Sequence, residues 1–116
     1  MNPFDYSLCH QTVTIYRKEG EKIIRRSAQG CLAVQMATPT QTYGKSLEKT
    51  FRLIIPGDFP ILPGDRVFVG EGPKAVDWQT FLPAMLSQVY EVSFAKPCYW
   101  DGRIAHWEAG NRKEQV

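Results

Sequence analysis

The sequence predicts an all-β fold, a small antiparallel β-barrel or sandwich of about six strands with at most one short helix. Short runs alternate polar and apolar residues and are rich in β-branched side chains, as in TVTIYR at residues 12–17. Turn signals separate these runs about every ten residues. The densest lies at residues 56–65, where Pro-Gly-Asp occurs twice. Proline fixes φ and glycine accepts a positive φ, so each triplet turns the chain.

The positions of these turn signals predict the individual strands and the helix. Gly20 marks the turn of a first hairpin, and Asp101-Gly102 is the signal for a two-residue type I′ turn. One helical turn is predicted after Asp77, a candidate N-cap, with Pro83 preventing its extension. Strand character is found at residues 12–17, 22–27, 31–36, 49–55, 65–69, 89–95 and 104–108.

A single core is expected inside this sheet. Trp107 is predicted to cover one end of the barrel. The side chains expected to point inward are the apolar members of the alternating runs: Val13, Ile15, Leu53, Ile55, Val67, Val69, Val89 and Val92.

The length and net charge of the chain bear on its number of domains, its partners and its location in the cell. A chain of 116 residues is expected to form one domain over residues 1–116, with residues 110–116 as a polar, flexible tail. The net charge is +2 and the basic residues are dispersed, so no electrostatic requirement to bind nucleic acid or an acidic membrane is evident. No signal peptide or membrane-spanning run is found, which predicts a soluble protein made in a cytoplasm.

The candidate metal ligands lack the usual spacing. Neither Cys-x-x-Cys nor His-x-x-x-His occurs, and the odd number of widely spaced cysteines argues against a disulfide framework. We therefore expect no metal and no cofactor. The thiols and imidazoles considered were Cys9, His10, Cys31, Cys98 and His106.

Catalytic motifs are equally incomplete. Cys31 with His106 is a conceivable nucleophile–base pair, but neither lies in a strained turn or at a helix N-terminus that would lower a thiol pKa. Residues 61–69 are similar to the Gly-Asp-x-Val strand of signal peptidases and repressor-type serine proteases. No upstream nucleophilic serine or downstream lysine base can be placed for that reaction. The sequence thus predicts that the protein is not an enzyme.

Nucleic-acid binding is the main alternative that the residues leave open. Small barrels bind single strands through exposed aromatic side chains beside Lys or Arg. Tyr99-Trp100 with Arg103, and Tyr16 with Arg17, are candidate stacking pairs. Gly70-x-Gly72 lacks a third glycine and a following helix, so a nucleotide-phosphate loop is not predicted. A small β-barrel that binds single-stranded nucleic acid or a small ligand therefore remains the second hypothesis.

Taken as a whole, the chain resembles the small head-completion and tail-completion proteins of tailed bacteriophages and prophages, including the stopper-like proteins below the portal. The resemblance rests on the order and spacing of five segments and covers most of the chain; an insert at residues 77–86 departs from the pattern. The segments are the TVTIYR strand, the hairpin return at 23–26, the strands at 49–55 and 61–69, and the terminal strand with His106-Trp107-Glu108.

This resemblance implies a structural role rather than catalysis. It predicts a small β-barrel that acts at the head–tail junction through contacts with phage head, connector or tail proteins, in the bacterial cytoplasm during assembly and then in the virion. The protein would form a ring when assembled and be a monomer when isolated, with DNA only passing through the channel. The position of the family's contact loop corresponds to residues 37–46. The predicted partner-binding residues are Thr38, Pro39, Thr40, Gln41, Thr42, Tyr43, Gly44 and Lys45.

Overall fold

A computed structural model of the chain describes residues 4–39, 47–84 and 89–111, which form seven antiparallel strands and one short helix. The strand order is β5-β4-β1-β2-β3-β7-β6, and the sheet curves into a half-barrel. The predicted all-β class is confirmed. The elements are β1 Gln11–Glu19, β2 Lys22–Pro39, β3 Leu47–Pro56, β4 Arg66–Val69, α1 Trp78–Ala84, β5 Val89–Glu91, β6 Phe94–Trp100 and β7 Arg103–Gly110.

Strand β2 joins the two halves of the sheet. It pairs with β1 as far as Cys31, and from Leu32 onward it pairs with β3. The sequence predicted two separate strands here, and that was wrong because the chain continues through Gly30. Gly30 has a φ of 69°, and the β1–β2 register shifts nearby, between Gln11 and Val13. An irregularity of this kind bends a strand without ending it.

The main core lies on the inner face of the curved sheet. Seven of the eight valine, leucine and isoleucine side chains predicted to point inward are at most 1% exposed. Val69 is partly buried and packs against this core, as does Trp107. The buried members of the main core are Val13, Ile15, Ala28, Cys31, Ala33, Phe51, Leu53, Ile55, Ile61, Val67, Tyr90, Val92 and Ala109.

A second, smaller cluster lies on the opposite face of β1 and β4. Tyr16, Phe68 and Phe81 form it together with Val89, which is buried here and not in the main core as the sequence predicted. Strand alternation explains the two faces, since Tyr16 follows Ile15 and Phe68 follows Val67. Helix α1 supplies Phe81, whose ring meets that of Tyr16 edge-on at 4.7 Å.

Helix α1 begins where the sequence predicted. Asp77 caps it, because its Oδ1 accepts a hydrogen bond of 3.1 Å from the backbone N–H of Gln79. The predicted end was wrong, since the helix includes Pro83 and ends at Ala84. Proline has a helical φ but no N–H to donate to the carbonyl four residues earlier, and the helix ends one residue after it. The described helix is too short to span a lipid bilayer.

The segment after α1 changes partner within a few residues. Residues 89–95 were predicted as one strand, but β5 ends at Glu91 and β6 begins at Phe94. Between them, the N–H of Val92 donates to Asp65 O and the N–H of Ser93 donates to Gly110 O. The chain thereby leaves β4 and joins β7, so one continuous strand is not formed.

The predicted turn between β6 and β7 is confirmed. Asp101 and Gly102 have φ values of 54° and 71°, as a type I′ turn requires. Strand β6 was not predicted beyond Ala95, because Pro97 interrupts the strand signal. Strand β6 is an edge of the described sheet, and edge strands are where sheets accept proline.

Candidate functional site

The predicted contact loop begins later than the sequence indicated. Ala37, Thr38 and Pro39 belong to β2 and pair with Lys49, Glu48 and Leu47 of β3, so the predicted loop boundary was wrong for these three residues. Polar and apolar residues do not alternate in this segment, so the sequence carries no strand signal there. The segment is nevertheless a strand, because it pairs with β3. Thr40, Gln41, Thr42, Tyr43, Gly44 and Lys45 lie outside the described residues, and their contact role stays a prediction.

The end of β2 and the start of β3 extend past the other strands of the described sheet. We call residues 36–39 and 47–50 the β2–β3 arm. Its four residue pairs, from Met36↔Thr50 to Pro39↔Leu47, lie beyond Cys31, where the β1 pairing ends, and beyond Arg52, where the β7 pairing begins. In the part of the chain that the structure describes, each strand of the arm therefore pairs only with the other. At about 3.3 Å per residue, four residues add roughly 13 Å to the sheet.

A cluster of reactive side chains lies on the β6–β7 hairpin. Cys98 is the direct cross-strand partner of His106, and Glu108 follows two residues later on the same face of β7. Glu108 Oε2 lies 2.9 Å from His106 Nε2 and 3.0 Å from Cys98 Sγ. We call Cys98, His106 and Glu108 the hairpin triad.

The N-terminal segment holds the imidazole of this triad from the other side. Tyr6 Oη is 2.7 Å from His106 Nδ1, and the ring of Phe4 meets the imidazole edge-on at 4.6 Å. His106 is only 3% exposed, although its neighbours Trp107 and Ala109 face the main core on the other side of β7. Both ring nitrogens of a buried histidine are thus engaged, which fixes the orientation of the ring.

The surroundings of the triad raise the pKa of Cys98 and lower the pKa of Glu108. Burial, together with the hydrogen bond to Glu108 and the charge of that carboxylate, raises the pKa of the Cys98 thiol to about 11. Burial alone would raise the pKa of Glu108, but hydrogen bonds from Cys98 and His106 outweigh it, so this pKa lies below its ordinary value. The carboxylate is therefore charged at neutral pH, while the thiol keeps its proton.

The other thiols and the second histidine that the sequence singled out do not join the triad. Cys31 is fully buried in the main core, and its Sγ is 3.7 Å from Gln29 O. Cys9 is half-buried and His10 is exposed. The conceivable pair of Cys31 with His106 is not formed, because His106 is bonded to Tyr6 and Glu108 and its cross-strand partner is Cys98.

Two aromatic side chains near the tip of the same hairpin face solvent. Tyr99 is 62% exposed and Trp100 is 41% exposed, immediately before the Asp101-Gly102 turn. Exposed aromatic residues are enriched at protein interfaces, and they also serve as stacking platforms for bases. The tip is thus a second candidate contact surface.

Comparisons of this chain with protein-family models, curated protein sequences and solved structures find no match.

Proposed function

We propose that this protein is a structural assembly protein of a tailed bacteriophage or prophage, acting at the head–tail junction through protein–protein contacts and without catalysis. The order and spacing of its strand-forming segments support this, because they resemble those of small head- and tail-completion proteins. The half-barrel of seven strands agrees with the fold that this resemblance implies.

The observation that carries the proposal is the β2–β3 arm. A two-stranded ribbon is marginally stable by itself in water, and it is stabilised when a further strand or a hydrophobic surface packs against it. The described arm has no third strand, and it leads into residues 40–45, which offer hydroxyls, an amide and one aromatic ring with little charge. Such a segment suits insertion against a neighbouring subunit, through backbone pairing and a single aromatic anchor.

The edges of the sheet fit a protein that is monomeric until it is assembled. Strands β5 and β6 form the two edges of the described sheet. On β6, Lys96 is exposed and Pro97 lacks an N–H donor, and both features discourage uncontrolled pairing of sheet edges. We therefore propose that the isolated chain is a monomer and that contacts with virion proteins bring copies together as a ring.

The charge of the sheet does not favour single-stranded nucleic acid. Base stacking on Tyr99 and Trp100 would need cationic groups that follow the phosphate backbone. Three of the described arginines instead bind protein groups: Arg17 binds Asp65, Arg26 binds Pro60 O, and Arg66 contacts Trp78 O and Glu91. Arg103, the cross-strand partner of Trp100, is exposed, and a single cation beside the aromatic pair does not make a basic groove. The exposed aromatic pair fits a protein contact better, and we do not propose a second function.

Deletion of the gene from the phage or prophage that encodes it tests the proposal. We expect DNA-filled or leaking heads without attached tails in electron micrographs, and restoration of infectious particles by the gene supplied in trans. An affinity-tagged copy should co-purify with portal, connector or tail proteins after induction. Normal particles at normal titre without the gene would overturn the proposal, as would tight binding of the purified protein to a fluorescent single-stranded oligonucleotide.

A further inference from the structure

We propose that Cys98, His106 and Glu108 bind a zinc ion through Sγ, Nε2 and a carboxylate oxygen, leaving a fourth coordination position open. The inference does not depend on the proposed assembly role. It rests on the hairpin triad itself: three different ligand atoms, all within 4.8 Å of one another on one face of a two-stranded hairpin.

The choice of zinc follows from the ligand types. A thiolate and an imidazole favour zinc over calcium or magnesium, which take mainly oxygen ligands. Zinc accepts one sulfur, one nitrogen and one carboxylate oxygen at about 2.0–2.3 Å, in tetrahedral geometry. Those bond lengths separate the ligand atoms by about 3.3–3.6 Å. The two separations from Glu108 Oε2, 2.9 and 3.0 Å, need to open by less than about 1 Å, and the Sγ–Nε2 separation, which is at most 4.8 Å, needs to reach about 3.6 Å. The Glu108 side chain is 28% exposed, which leaves room for this adjustment.

Tyr6 makes His106 a better ligand. With Nε2 on the metal, the imidazole carries its proton on Nδ1, and that N–H donates to Tyr6 Oη at the observed distance of 2.7 Å. Bound histidines usually donate their second N–H in this way, which fixes the ring and raises its basicity. Phe4 packs on the same ring, so the N-terminal segment is part of the site. Tyr6 is thus a positioning residue and does not touch the metal.

Without metal, the same atoms satisfy one another. The Glu108 carboxylate accepts from the Cys98 thiol and from His106 Nε2–H, and Tyr6 O–H donates to Nδ1. Zinc binding replaces both bonds to Glu108, sends the thiol proton to solvent and reverses the Tyr6–His106 bond. Cys98 and Glu108 are both partly exposed, so water can reach the fourth position.

Cobalt titration of untagged, chelator-treated protein tests the site, because Co²⁺ occupies zinc sites and reports a bound thiolate by sulfur-to-cobalt charge-transfer absorption. We expect this absorption to saturate at one ion per chain and to disappear when zinc is added. Cys98→Ser should abolish it, and His106→Ala and Glu108→Gln should weaken binding strongly. The matched controls, Cys9→Ser and His10→Ala, remove a thiol and an imidazole elsewhere and should bind like the wild type.

Two further measurements separate metal binding from a purely structural triad. Zinc should raise the melting temperature of the wild type in a concentration-dependent way and leave that of Cys98→Ser unchanged. Tyr6→Phe should weaken cobalt binding about 10-fold while keeping the charge-transfer absorption. Absorption that survives Cys98→Ser, absorption lost equally in Cys9→Ser, or none in the wild type would overturn the site. None of these outcomes bears on phage assembly.

Discussion

Arg17 and Asp65 are joined by two parallel hydrogen bonds, Nε to Oδ1 and Nη2 to Oδ2, each 2.8 Å long. Asp65 is only 2% exposed, and its Oδ2 also accepts the backbone N–H of Leu62 at 3.0 Å. The carboxylate that ends the second Pro-Gly-Asp triplet therefore fastens that turn to β1. A bidentate arginine–carboxylate pair adds directional specificity to its charge attraction.

Asp65→Ala should be among the most destabilising single changes in the chain. It leaves the partly buried Arg17 guanidinium and the Leu62 N–H without their acceptor, so we expect a loss of about 3–5 kcal/mol in the free energy of unfolding. Urea denaturation measures it. Glu71→Gln, which removes the charge from an exposed partner of Arg25, is the control and should change stability by less than about 0.5 kcal/mol. Equal losses in the two variants would contradict this account of Asp65.

The main core predicts a contrast between two isoleucines. Ile15 is fully buried whereas Ile24 is 38% exposed, and both lie in strands. We expect Ile15→Ala to lower the free energy of unfolding by about 2–5 kcal/mol, because it removes buried methyl groups and leaves a cavity. Ile24→Ala should lower it by less than about 1 kcal/mol. A smaller loss for Ile15 than for Ile24 would refute the assignment of the inner face.

Shortening the predicted contact loop should separate assembly from folding. Replacing residues 40–46 by a two-residue Asn-Gly turn keeps Thr38 and Pro39 in their β2 pairing with β3. Loop length has a small effect on stability, so we expect a change of less than about 1 kcal/mol. Infectious particles should nevertheless be lost in a complementation assay. A Gly-Ser replacement of residues 40–46 at the original length is the matched control: it removes the contact side chains without shortening the loop, and it should lose infectious particles equally. Unfolding of the shortened chain, or full complementation by it, would contradict the contact role.

Cys31 should make the fold sensitive to alkaline pH. Burial, with a smaller effect from Cys9, raises the pKa of its thiol from an ordinary 9.0 to about 11. Between these values the unfolded chain loses a proton that the folded chain keeps, so stability is complete below pH 9 and falls as pH rises toward 11. Cys31→Ala lowers stability at neutral pH but should flatten its decline over this range. Urea denaturation at several pH values measures both curves; parallel curves would contradict the assignment.

Local turn chemistry made much of the fold predictable, and tertiary pairing accounts for the rest. The turns at Gly20 and at Asp101-Gly102 were recognised because positive φ values there demand glycine or aspartate in a two-residue connection. The continuity of β2 was not recognised, because Gly30 interrupts the pattern that identifies a strand. Only the pairing of β2 with β1 as far as Cys31, and with β3 from Leu32 onward, shows that the strand continues past Gly30.

The hairpin triad was missed because no strand was predicted at Cys98 and its ligands lack the usual spacing along the chain; a simple register would not have revealed it either. Counting back from the two-residue turn at 101–102 places Cys98 opposite Ala105, which would put its side chain on the face away from His106. The structure has a register shift between Cys98 and Tyr99, so that Ala105 is the extra residue and Cys98 pairs with His106. The carbonyl of Ala105 accepts the N–H of Gly57 at 2.8 Å. A contact from the distant first Pro-Gly-Asp triplet thus supports the irregularity, and spacing along the hairpin alone does not reveal it.

The uninterrupted course of β2 has a consequence for how the molecule opens. Strand β1 pairs with the first part of β2, and strand β3 pairs with its last part. Neither half of the sheet therefore keeps all of its backbone partners once β2 detaches. Amide hydrogen exchange under native conditions should therefore find the slowest amides of β1 and of the β3–β7 pair in one cooperative unit, exchanging with the same free energy. Two units with clearly different free energies would show that the bend at Gly30 uncouples the halves.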